Sequence, residues 1–191
     1  YDAKQRGRSR VAVFHDGLRD RAMAPLTTEN ALRDAMRYDE MELHYQPVVR
    51  LRDGAMVGVE ALLRWQHPGV GLIGPGEFVP VATDTGLILP LGRWVIEQAV
   101  QSAARWSGLD VAANLSARQL TDVDLVEFVS LTLRAADVAP ARLCLEVTEA
   151  DLIEDPDLVI EQLARFKDLG VKLAIDDFGT GFATLDYLRR F

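Results

Sequence analysis

Apolar positions along the chain recur at two spacings, one helical and one of period two, and the switches between them outline the fold. From Leu91 on, helical spacing predicts helices over about Leu91–Trp106 and Val123–Ala136. A third opens at Asp155 as cap with Pro156 in its first position and closes at Gly170, and a last one begins at about Ala183. Short apolar runs between them predict strands Val111–Leu115, Leu143–Val147 and Lys172–Ile175. Strand and helix in strict turn imply a parallel sheet with helices outside it, an α/β fold. Upstream, Thr27 or Thr28 is expected to cap a helix carrying Ala31, Leu32, Ala35 and Met36 on one face. Glu42–Leu51 and Met56–Trp65 then read as two strands of a direct hairpin turned at Asp53-Gly54, followed by a glycine-rich loop (residues 69–76) and a short helix Glu77–Thr83.

Four strands share one further pattern. Gly58-Val59-Glu60, Ala112-Ala113-Asn114, Cys144-Leu145-Glu146 and Ala174-Ile175-Asp176 each set a small residue two positions before an oxygen-bearing side chain. Strand side chains alternate, so each small residue and its polar partner point the same way. An open doubly wound sheet and a barrel both fit the alternation of elements. Polar groups converging from the carboxyl ends of several strands favour the barrel.

Composition narrows the chemistry. The formal net charge of the 191 residues is −8. Residues 1–25 hold six Lys/Arg against three acids, so residues 26–191 hold 15 against 26, or −11. So acidic a region is a poor binder of nucleic-acid polymers, and accepts an anionic ligand only where metal ions or a local arginine intervene. The single cysteine, Cys144, excludes an internal disulfide and reads as a small buried hydrophobe. No apolar run is long enough for a membrane span and no signal-peptide pattern opens the chain, so a cytoplasmic location is expected, with no membrane contact within this piece. The start at Tyr1 implies a piece of a longer parent protein.

Period two puts Glu60, Leu62 and Arg64 on one face, which reads as an intrastrand ion pair or as a metal-binding carboxylate beside a phosphate-gripping arginine. Asn and carboxylate oxygens without His or Cys are hard ligands, suited to magnesium, manganese or calcium. Asp177 beside Asp176 leaves two readings, a helix cap or a second cation a few ångströms away that activates water for phosphodiester hydrolysis. Glu149, three after Glu146 and off its face, is better placed to hold a loop or orient a ligand.

These motifs resemble the EAL-domain family, phosphodiesterases that linearise the bacterial messenger cyclic di-GMP. The resemblance runs through Tyr45-Gln46-Pro47, Glu60-Ala61-Leu62-Leu63-Arg64-Trp65, Phe78-Val79-Pro80, Thr85-Gly86-Leu87-Ile88, Asn114-Leu115-Ser116, Glu146-Val147-Thr148-Glu149 and Asp176-Asp177-Phe178-Gly179-Thr180-Gly181. It implies a (β/α)8 TIM-like barrel whose first strand is antiparallel to the others, with residues 26–191 as the N-terminal two-thirds of the domain and about five of eight strands. It also implies two Mg2+ or Mn2+ ions, with Glu60, Asn114, Glu146 and Asp176 around one and Asp177 on the second. Glu60, Asp176 and Asp177 would be catalytic, Gln46, Leu62 and Arg64 would bind substrate, and Glu149 would brace the loop from Phe178 to Leu185. The family usually has an acid where this chain has Thr83 and Tyr-Ser-Ser in place of Phe182-Ala183-Thr184. Ala3 to Val11 is similar to the last helix-turn-strand of diguanylate cyclase (GGDEF) domains, so residues 1–14 are expected to be the tail of such a domain and residues 15–25 a linker.

The expected activity of the parent is therefore hydrolysis of cyclic di-GMP to the linear dinucleotide pGpG, in a homodimer. The alternatives are a catalytically degenerate receptor or protein scaffold, and a hydrolase of another phosphodiester. A barrel of this kind takes roughly 250 residues, so this piece alone is expected to be inactive, lacking the family's later lysine and glutamate.

Overall fold

The computed structural model describes residues 29–151 and 156–179. The expected cyclase-like tail, the linker, the Thr27 or Thr28 cap, the Asp155 cap, the helix from Ala183 and the loop beyond Gly179 lie outside the described residues.

Helix α1 (29–37) leads into strand β1 (Met41–Val49), which pairs antiparallel with β2 (Met56–His67). The hairpin expected at Asp53-Gly54 is present. Gly54 takes a left-handed φ of 68°, its N–H donates to the Arg50 carbonyl, and the Asp53 carboxylate accepts the Ala55 N–H at 3.1 Å. The loop from Gly69 to Gly76 contains a strand not anticipated, β3 (Gly71–Ile73), paired with the end of β2. Then follow α2 (Pro75–Thr85), α3 (Ile88–Arg105), β4 (Asp110–Asn114), α4 (Ala117–Leu120), α5 (Leu125–Ala135), a 3-10 turn (Pro140–Arg142), β5 (Leu143–Thr148), α6 (Pro156–Leu169) and β6 (Lys172–Asp176). As expected, α6 ends at Gly170, whose φ is 91° and which lets Val171 N–H turn back to the Phe166 carbonyl.

The sheet order is β1-β2-β4-β5-β6, with β2, β4, β5 and β6 parallel. Val59, Ala61, Val111, Ala113, Leu143, Leu145 and Val147 form one core with Ile96 and Val100 of α3, Val129 and Leu133 of α5, and Leu163 and Phe166 of α6. Every strand residue in that core belongs to one face of the sheet, so among the described residues helices cover a single side. A doubly wound sheet would carry helices on both. One-sided cover on a staggered parallel sheet is a (β/α)8-type barrel wall with an inverted first strand. A second core of Leu32, Met41, Trp65, Phe78, Ile88 and Leu91 seats α1 and α2 against the hairpin. Trp65 also donates its indole N–H to Glu40 Oε2 at 3.0 Å.

Candidate active site

The register fixes which side chains share the uncovered face. Glu60 pairs with Gln46 on β1 and with Ala112 on β4, and Asn114 stands two positions after Ala112. Asn114 pairs with Glu146, Glu146 with Ala174, and Asp176 stands two after Ala174. Paired residues and residues two apart share a face. Gln46, Glu60, Leu62, Arg64, Asn114, Glu146 and Asp176 therefore lie on the face that the helices leave open, rising in steps across the sheet. The small residues Gly58, Ala112, Cys144 and Ala174 alternate with them on that face. At Gly58 a Cβ would come 2.8 Å from the Asp110 carbonyl oxygen, so only glycine allows β2 and β4 this approach.

Asn114 Nδ2 donates to Glu60 Oε1 at 3.0 Å, which leaves the Asn114 carbonyl oxygen for another partner. Glu146 is half-buried. Burial first, and then the negative charges of Glu60 and Asp176, push its pKa up to about 7. Burial likewise raises the thiol of Cys144 to about 11, which keeps it a protonated and unreactive neighbour. Arg64 does not pair with Glu60, and its Nη1 donates instead to the Leu63 carbonyl at 2.8 Å. Asp177 takes a left-handed φ of 53°, which ends the strand alternation, and its N–H donates to Asp176 Oδ1 at 2.9 Å.

Among the described residues no three His, Cys, Asp or Glu side chains are gathered tightly enough to hold an ion as they stand. The donor chemistry nevertheless fits a hard divalent cation. All the donors are oxygens, and a cation would offset both the burial and the negative charges of Glu60 and Asp176 that raise the Glu146 pKa.

Glu149 is 3 % exposed and lies off this face. Its Oε2 accepts the Gly179 N–H at 2.9 Å, tying the end of β5 to the turn after β6. Two further supports have no counterpart among the residues expected from sequence. Gln119 Oε1 accepts both the N–H (3.1 Å) and the hydroxyl (2.9 Å) of Ser116, two residues after Asn114. The Gln119 side chain lies against Gly92 of α3, where a Cβ would overlap its amide nitrogen. Asp151 joins the first turn of α4 to the end of β5 through three hydrogen bonds. The signal that could have found them is the three-residue spacing of Ser116 to Gln119, a capping box at the start of α4, and of Thr148 to Asp151. Thr83, which stands where an acid is common, back-bonds to the Val79 carbonyl at 2.9 Å.

Among the described residues no helix is long and apolar enough to cross a membrane.

Residues 29–191 match the EAL domain family. The chain is 40% identical over 195 residues to the bifunctional diguanylate cyclase/cyclic di-GMP phosphodiesterase MucR of Pseudomonas aeruginosa, covering all of this chain and 28% of that protein. It is 39% identical over 195 residues to the cyclic di-GMP phosphodiesterase PdeR of Escherichia coli, covering all of this chain and 29% of that protein. The chain thus spans under a third of the length of these curated relatives. The solved structure of the PaMucR phosphodiesterase in complex with c-di-GMP superposes with a TM-score of 0.82 at 42% identity, over 86% of this chain and 69% of that one. The FimX EAL domain of Pseudomonas aeruginosa bound to c-di-GMP superposes with a TM-score of 0.80 at 26% identity, over 86% and 67%. With the match running through every described strand of the sheet, the chain belongs to the EAL-domain family.

Proposed function

We propose that this chain forms the metal-binding wall of a phosphodiesterase that opens cyclic di-GMP to linear pGpG. The observation that carries the reading is the shared face of Glu60, Asn114, Glu146 and Asp176, set by strand register. In this reading those four side chains hold one divalent cation, magnesium or manganese, and Asp177 contributes to a second. Bound there, such cations would supply charge neutralisation at the phosphate and lower the pKa of a water for attack at neutral pH. Hydrolysis adds the hydroxyl of a water to one phosphorus and breaks one P–O ester bond, and the remaining proton of that water ends on the released oxygen.

The chain's own residues do the positioning. Glu60 and Asn114 arrive already bonded to each other, which reduces the freedom lost when a ligand settles on them. Arg64 shares their face and offers a planar fork of donors to a phosphate, an anion that the carboxylates alone would repel. Gln46, the Cα partner of Glu60, and Leu62 line the same face for the rest of the nucleotide. Glu149 holds the turn after β6 through Gly179 and so sets where Asp176 and Asp177 emerge. The parent's homodimer, its cytoplasmic location and the cyclase-like residues 1–14 belong to the same proposal.

The test is incubation of the parent protein with cyclic di-GMP and Mg2+ or Mn2+, with the products separated by chromatography. Metal-dependent appearance of linear pGpG is expected. Nucleotide bound without turnover by a folded, metal-loaded sample would reject hydrolysis and leave a receptor.

A further inference from the structure

We infer that Asp151 is a positioning residue that locks the β4 and β5 ends together, and with them Asn114 and Glu146. The inference rests on the metal-site reading above. Asp151 Oδ1 accepts the Ala117 N–H at 2.8 Å. Its Oδ2 accepts the Thr148 N–H at 3.0 Å and the Thr148 hydroxyl at 2.5 Å. The Thr148 hydroxyl also lies 3.3 Å from the Asp151 N–H, closing the turn that follows β5.

What these bonds connect gives them their consequence. Ala117 is the first residue of α4, three after Asn114, and Gln119 pins the intervening Ser116. Thr148 is the last residue of β5, two after Glu146, and is the Cα partner of Asp176. One carboxylate therefore joins two strand ends that each carry a candidate ligand, and its partner Thr148 pairs with Asp176 on the third strand. Bonds from neutral donors to an ionised acceptor are among the stronger ones, and supports of this kind typically set ligand affinity by about 10–100-fold. With three donors in place on its two oxygens, Asp151 acts as a brace and not as a ligand.

Replacement by asparagine keeps the shape but leaves one oxygen for two backbone N–H groups at opposite ends of the side chain. One strand end must then be released.

The test is calorimetric titration of Mn2+ into the parent protein and into its Asp151→Asn variant, with hydrogen exchange at the Ala117 and Thr148 amides. The expected result is roughly ten-fold weaker Mn2+ binding by the variant, with faster exchange at one or both amides and far-UV circular dichroism unchanged. Equal Mn2+ affinity in both proteins would overturn the inference while leaving the metal site standing. An unmodified protein that binds no Mn2+ would overturn the metal-site reading itself, and the inference with it. Should Asp151→Asn fail to fold, Thr148→Val removes the two bonds of the Thr148 hydroxyl and leaves both backbone N–H bonds to the Asp151 carboxylate in place. A several-fold loss of Mn2+ affinity is then expected, and no change counts against the brace.

Discussion

The amide nitrogen of Asn114 and a carboxylate oxygen of Glu60 lie 3.0 Å apart although 54 residues separate them in the chain. Two strands that are neighbours only because β2 and β4 pair in parallel thus bring a neutral donor onto an acid. Asn114→Ala removes that bond together with one of the proposed oxygen ligands. The metal concentration giving half-maximal activity is expected to rise about ten-fold or more, measured as activity against Mg2+ concentration at saturating nucleotide. An unchanged metal dependence would contradict the role given to Asn114.

Glu146 sets a pH dependence for the metal-free protein. Its folded pKa of about 7 lies above the ordinary 4.5, so folding favours its protonated form. That stabilisation is complete below about pH 4.5 and is lost as the pH rises through about 7. The metal-free melting temperature is therefore expected to fall across this window more steeply in the unaltered protein than in Glu146→Gln. Added divalent cation should flatten the difference at pH 7.5. Parallel melting curves for the two proteins would contradict it.

Gly58 lies beneath Glu60 on the same face, where a methyl group would press on the Asp110 carbonyl oxygen at 2.8 Å. Gly58→Ala must push β2 away from β4. A loss of about 1–3 kcal/mol is expected by the usual cost of overpacking, read from denaturant unfolding, together with a weaker metal response because Glu60 shifts relative to Asn114. Full stability would show that the two strands can part at no cost.

Arg64 spends one donor on the Leu63 carbonyl and shares the face of the acidic residues. Arg64→Ala is expected to raise KM for cyclic di-GMP about ten-fold or more, the scale of one lost charge-assisted bond, with Mn2+ affinity unchanged by calorimetry. Arg64→Lys should recover only part of this, because an ammonium cannot grip two phosphate oxygens in one plane. An unaltered KM in both variants would remove Arg64 from the substrate site.

Much of this arrangement is legible in the residues themselves. The small-then-polar pattern at Gly58/Glu60, Ala112/Asn114, Cys144/Glu146 and Ala174/Asp176 follows from strand alternation, and the observed pairing puts all eight on one face. The Asp53-Gly54 turn marked the hairpin because its chemistry is local. β3 and α4 escaped notice because three or four residues are too few to show a period. Ser116-x-x-Gln119 and Thr148-x-x-Asp151 carry the local spacing of a capping box, whereas the bond from Ala117 to Asp151 spans 34 residues and is made only by the fold. Cys144 is only half-buried, because the face it shares with Glu146 is the one without helices.

The most direct measurement is anomalous diffraction from crystals of the parent protein's EAL domain soaked in Mn2+. A manganese peak bonded to oxygens of Glu60, Asn114, Glu146 and Asp176 is expected. Peaks confined to other acidic residues, with these four side chains still apart, would contradict the account.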